Sequence, residues 1–135
     1  MNTQQAITRG VHHAGLTVPD LAATRDFFLE GLGFQQVGEI PDYPAVFLSD
    51  GVIMITLWQA SNPASAVPFD RHHNIGLHHL AFLVDDLEAV HQRLSTRDNV
   101  RVEFHPEPLL GGPTRHMMCH IPGGIRVEFI APASA

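Results

Sequence analysis

Apolar residues recur at every second position over 10–18, where Ala14, Leu16 and Val18 share one parity. A matching apolar run covers 76–84, with Leu80, Phe82 and Val84 in the corresponding places. Each run leads to an aspartate, Asp20 or Asp86, that can accept from the free N–H groups of a following helix. Helices are predicted from about Leu21 to Glu30 and from Leu87 to Thr96, the first stopped by Gly31 and Gly33. Three short strands follow each helix: 35–40, 45–50 and 52–59, then 100–105, 115–121 and 124–130. Each half therefore reads strand–helix–strand–strand–strand.

The halves are an internal repeat. Val11–Ala23 and Leu77–Ala89 both read His-His, four residues, Val, one residue, Asp-Leu, one residue, Ala, at a constant offset of 66. Gly51–Leu57 matches Gly123–Phe129 at an offset of 72, which places a longer loop in the second half around Pro106–Pro113. One domain over 1–135 is expected, with a module at 8–60, a linker at 61–74 rich in Ala, Ser and Pro, and a second module at 75–131. The expected class is α+β, two tandem βαβββ modules forming a curled mixed sheet around a cavity.

Strand parity separates a core face from a site face. Ala14, Leu16, Val18, Ile53, Ile55 and Leu57 belong to the core in the first module, as do Leu80, Phe82, Val84, Ile125, Val127 and Phe129 in the second. The opposite faces pair His13 with His79 and Thr56 with Glu128, and the small Gly15 and Ala81 leave room beside each histidine. His12 and His78 fall on the helix-packed side and read as structural.

Composition narrows the chemistry. The 135 residues carry 8 Lys+Arg against 14 Asp+Glu, a net charge of −6 that argues against nucleic acid or an anionic membrane as partner. All eight cations are arginine, so Schiff-base and P-loop lysine chemistry are excluded. The single Cys119 makes no internal disulfide, and there is neither a signal-peptide pattern nor a membrane-spanning run; a cytoplasmic protein is expected. Histidine is abundant, with ten residues. Two imidazoles and one carboxylate, His13, His79 and Glu128, are three suitable ligands for a divalent first-row ion and leave positions open for substrate.

His13–Leu21, its near-copy His79–Leu87 and Pro122–Phe129 resemble the vicinal oxygen chelate superfamily, which includes glyoxalase I, methylmalonyl-CoA epimerase, extradiol dioxygenases and the fosfomycin and bleomycin resistance proteins. The resemblance spans about 8–131. It implies paired βαβββ modules around one divalent ion (Fe, Mn, Ni, Co or Zn) that polarises two adjacent substrate oxygens, and a homodimer. It maps the ligand positions onto His13, Thr56, His79 and Glu128. Thr56 departs from the family, since glyoxalase I has a second glutamate there and the epimerase a glutamine. Met118 falls about where the dioxygenases carry a tyrosine.

His116, Met118 and His120 share the cavity side of their strand, so Glu128, His116 or His120 could move the proton. Trp58 and Met54 supply an apolar wall, and His72, His73 and Arg126 could meet an anionic group, although Arg126 also suits a salt bridge across the sheet. Cys119 and His120 face opposite ways and make a poor nucleophile–base pair. The expected activity is lyase or isomerase chemistry on a small oxygenated metabolite, by bidentate chelation and proton abstraction. The alternatives are an Fe(II) ring-cleaving dioxygenase and a metal-free protein that sequesters a drug.

Overall fold

The computed structural model describes residues 5–133. In chain order its elements are β1 (His13–Val18), α1 (Leu21–Asp26), β2 (Gln35–Ile40), β3 (Ala45–Ser49), β4 (Met54–Gln59), β5 (Leu80–Leu83), α2 (Leu87–Ser95), β6 (Arg101–Pro108), β7 (Arg115–His120) and β8 (Arg126–Ala131). Among the described residues no helix is long and apolar enough to cross a membrane.

Both helices begin as the aspartates dictate. Asp20 accepts from the Ala23 N–H and Asp86 from the Ala89 N–H, each at 3.1 Å, which satisfies one of the donors a first helical turn leaves free. The first helix departs from expectation. It is α-helical only to Asp26 and continues as a π-helical turn over Phe27–Gly31. In that wider turn the adjacent Phe27 and Phe28 are both fully buried. Gly33, with φ +78°, then adopts the left-handed conformation that ends the segment.

The two expected βαβββ modules are present, each as a mixed sheet. Two separate four-stranded sheets form, ordered β1-β4-β3-β2 and β5-β8-β7-β6, and they do not close. In each, the first strand runs parallel to the fourth and the others pair antiparallel, the pattern of two βαβββ modules. The register reproduces the repeat: Gly15 lies opposite Thr56 in the first sheet and Ala81 opposite Glu128 in the second. The six residues that lengthen the second half do not form only a loop. Part extends β6 to Pro108, across from Arg115, and part makes a 3-10 turn at Leu109–Gly111.

One apolar cluster joins the modules. Leu16, Val18, Ile55 and Leu57 from the first sheet and Met117, Cys119, Val127 and Phe129 from the second meet around Phe27, Phe28 and Leu94. Phe28 packs edge-on against Phe34 and Phe82, and Phe82 stacks on Phe129. The apolar faces thus converge on a shared core. The opposite faces remain open, with Gly15, Thr17, Ala81 and Leu83 exposed and Leu83 at 77%.

Candidate metal centre

In the second sheet Glu128 is buried at 7% exposure, in the middle of β8. Its Oε1 lies 3.2 Å from His79 Nε2, and its Oε2 lies 2.5 Å from His116 Nδ1. Among the described residues it has no arginine partner. A buried carboxylate needs compensation, and here two imidazoles are what it meets. The separation from His79 Nε2 is what two donors of one divalent ion require, given ligand bonds of about 2.0–2.2 Å. The donor set therefore fits an ion on the Oε1 side, with His79 and Glu128 as ligands. Met118 lies directly across from Glu128 on β7 and is buried, so it forms part of the floor beside the carboxylate.

The first sheet carries the equivalent place differently. His13, at the start of β1, is exposed, and Met54 lies opposite it in register, half-buried. Thr56 is buried, and its Oγ1 accepts from the Trp58 indole N–H at 2.8 Å. A β-carbon at Gly15 would stand 3.0 Å from that same oxygen, so glycine is what lets β1 approach. With its hydroxyl engaged by Trp58, Thr56 offers little to an ion. Trp58 is itself held edge-on by Tyr43, 4.8 Å between ring centres, with Phe47 at 6.2 Å. This half presents one imidazole beside an aromatic wall.

The two half-sets stand on separate sheets. Among the described residues, no group of three His, Cys, Asp or Glu is placed to hold an ion within one chain. An apolar cleft of about 540 Å³ runs along β1, lined by Gly15, Thr17, Val67, Phe69, Leu77 and Ile125 among others. Neither His13 nor Glu128 lines it, although Gly15 and Thr17 of the site face do.

The remaining polar residues divide sharply. Arg126 is 8% exposed, and its Nε and Nη2 donate to the two oxygens of Glu103 at 3.0 and 2.8 Å. His120 Nε2 lies 2.8 Å from the same carboxylate, and Arg71 Nη1 donates to it at 3.3 Å. The Arg126 guanidinium, with help from His120 and Arg71 and against the effect of burial, holds the Glu103 carboxyl down at about 2. Arg126 thus makes the cross-sheet salt bridge, and His120 belongs to that network while His116 belongs to Glu128. His72 and His73 are exposed in the linker. Asp70 accepts from the His72 N–H and lies 2.8 Å from His73 Nδ1, contacts that lower its own pKa.

His12 and His78 are not on the helix-packed side. Each lies just before its strand, exposed, with Nδ1 against Nδ1 of the next histidine, at 2.9 Å for His12–His13 and 2.8 Å for His78–His79. Strand alternation does not apply to residues outside the strand. Burial pushes the Cys119 thiol up to about 12, as expected of an inert core cysteine. Glu103 escapes a reading by parity. Two register shifts in β6, between Val102 and Phe104 and again before Glu107, break the alternation that would have flagged Glu103.

The family model for the Glyoxalase/Bleomycin resistance protein/Dioxygenase superfamily matches residues 10–129. A 2-epi-5-epi-valiolone epimerase from Actinomyces sp is 29% identical over 148 residues, covering 93% of this chain and 81% of the relative. Among solved structures, a glyoxylase/bleomycin resistance protein/dioxygenase domain from Frankia sp. EAN1pec superposes with a TM-score of 0.81 at 21% identity, covering 95% of each chain. A lactoylglutathione lyase from Agrobacterium tumefaciens gives a TM-score of 0.70 at 23% identity, covering 93% of this chain and 96% of the other.

Proposed function

Because the chain belongs to the Glyoxalase/Bleomycin resistance protein/Dioxygenase superfamily, we propose that it is a divalent-metal-dependent isomerase or lyase for a small oxygenated metabolite. Its ligands are His13, His79 and Glu128. The observation that carries the proposal is the buried Glu128, facing His79 Nε2 at 3.2 Å with no arginine partner among the described residues. The likeness to an epimerase favours isomerisation.

Each centre is shared between two copies of the chain, His13 coming from one and His79 with Glu128 from the other. Three features support this. The half-sets lie on different sheets, the described residues of one chain group no three ligands, and the site faces at Gly15, Thr17, Ala81 and Leu83 are uncovered. A twofold dimer brings each half-set to its complement twice.

When bound, the ion supplies Lewis acidity to a carbonyl and its neighbouring oxygen, which makes the adjacent C–H acidic. His116 is the residue placed to move that proton. Its Nδ1 sits on Glu128 and its side chain is 13% exposed, whereas His120 is held by Glu103. Glu128 orients the His116 ring. Trp58 and Met54 of the facing half close the apolar side.

Elemental analysis of untagged protein tests the proposal. Wild type should carry about one divalent ion per chain, as one three-ligand site per chain implies, and His79→Ala should carry none. Absence of metal from both after reconstitution would overturn the reading and favour a metal-free binding protein. Bound iron with oxygen uptake on catechols would move the activity to ring cleavage.

A further inference from the structure

We propose that the polar pocket at the far end of the first sheet is a binding subsite for a neutral polyhydroxylated ring, a sugar or cyclitol, stacked on Tyr43 and Trp58. None of His13, His79 and Glu128 lines this pocket, so the proposal stands whether or not an ion binds.

The pocket, of about 750 Å³, lies between the β2–β3 turn and the segment that follows β4, and Thr17, Asp42, Tyr43, Asn62 and Ser65 line it. Thr17, Trp58 and Ala45 stand opposite one another across β1, β4 and β3, so their side chains share one face. Two residues before Ala45, Tyr43 sets its ring edge-on to Trp58, 4.8 Å between centres. The Gln59 N–H donates to the Pro44 carbonyl at 3.0 Å and anchors the turn there. The opposite wall is anchored too. The Ser65 N–H and hydroxyl donate to the Asn62 carbonyl at 3.1 and 3.2 Å, closing a 3-10 turn. The Asn62 carboxamide makes no capping bond to that turn.

The Trp58 indole N–H is spent on Thr56, so what Trp58 offers a ligand is its ring. An aromatic face is negative and attracts the partly positive C–H bonds along one side of a polyhydroxylated ring. The hydroxyls of such a ring both donate and accept. They suit the hydroxyls of Thr17, Tyr43 and Ser65, the Asn62 amide and the Asp42 carboxylate, all on exposed residues. Charge selects further. None of the eight arginines lines the pocket, and Asp42 is its one ionised side chain. A phosphate ester or a carboxylate would therefore meet repulsion with no counter-charge. A cation accepts no hydrogen bond, so the four donors beside Asp42 would go unmet.

Trp58 and Tyr43 are the chain's single tryptophan and single tyrosine, so emission from untagged, chelator-treated full-length protein reads this shelf alone. Titrated with myo-inositol, wild type should shift the Trp58 emission and bind in the millimolar range, with saturation-transfer NMR marking the C–H protons of the probe. Tyr43→Ala should weaken binding about 3–10-fold, and Tyr43→Phe, which keeps the ring, should weaken it less. Asn62→Ala should also cost about 3–10-fold. Tyr43 is 60% exposed and Asn62 is exposed, so the fold tolerates these changes. The monophosphate ester of the probe, choline and catechol should each bind more weakly than myo-inositol itself. Absence of myo-inositol binding, equal affinity in wild type and Tyr43→Ala, or tighter binding of any of those three compounds would overturn the inference.

Discussion

Replacing Glu103 with glutamine removes one charge from a four-residue network and leaves its shape nearly intact. In the folded chain the carboxyl titrates at about 2 against an ordinary value of 4.5, with Arg126 as the principal cause. At about 1.36 kcal/mol per pKa unit that fall corresponds to roughly 3 kcal/mol. The side chain is 21% exposed, and solvent screening brings the figure to about 2–3 kcal/mol. Folding favours the ionised form, so this stabilisation is present above pH 4.5 and is lost as pH falls through about 2. Some of the cost of Glu103→Gln is the exposure of Arg126, 8% accessible, to a partner without charge. Urea denaturation of metal-free wild type and variant at several pH values measures the difference. We expect about 2–3 kcal/mol at pH 7, shrinking to about 1 kcal/mol near pH 3. A gap that stays constant over that range, or one below about 0.5 kcal/mol at pH 7, would refute the electrostatic reasoning.

Two further outcomes follow from the architecture. His13→Ala and His79→Ala proteins should each fail to hold metal. Unfolded together and refolded in equal amounts, they should recover about a quarter of the wild-type metal content, because half the dimers are mixed and each of those keeps one intact centre; no recovery would place the whole site in one chain. Phe28→Ala removes a fully buried ring that touches Phe34 and Phe82 across the two modules. Chemical denaturation should show a loss of about 3–5 kcal/mol, and a loss under 1 kcal/mol would mean that the modules do not depend on this contact.

Much of the molecule was legible along the chain, since its strongest signals are local. Asp20 and Asp86 cap their helices, a matter of three residues each. Parity assigned Leu16, Val18, Ile55, Leu57, Val127 and Phe129 to the core, where all are buried. The repeat made Thr56 equivalent to Glu128 and Gly15 to Ala81, and the structure sets Gly15 opposite Thr56 and Ala81 opposite Glu128 in matching parallel registers. Where local rules failed, a local cause is visible. The π turn at Phe27–Gly31 answers to core packing, and the bulges in β6 carry Glu103 out of a simple alternation.

The sequence by itself determined the modules, their faces and the kinds of side chain available for chemistry, because spacing of two and of about 3.6 residues decides which groups share a surface. Only the tertiary structure decided which of those groups meet. That His116 rather than His120 touches Glu128 and that Glu103 gathers Arg126, His120 and Arg71 depend on contacts between residues up to 32 positions apart, and that His13 stands on another sheet from His79 depends on how the strands divide. Such contacts are set by how the two apolar faces pack on one core, which no local pattern encodes.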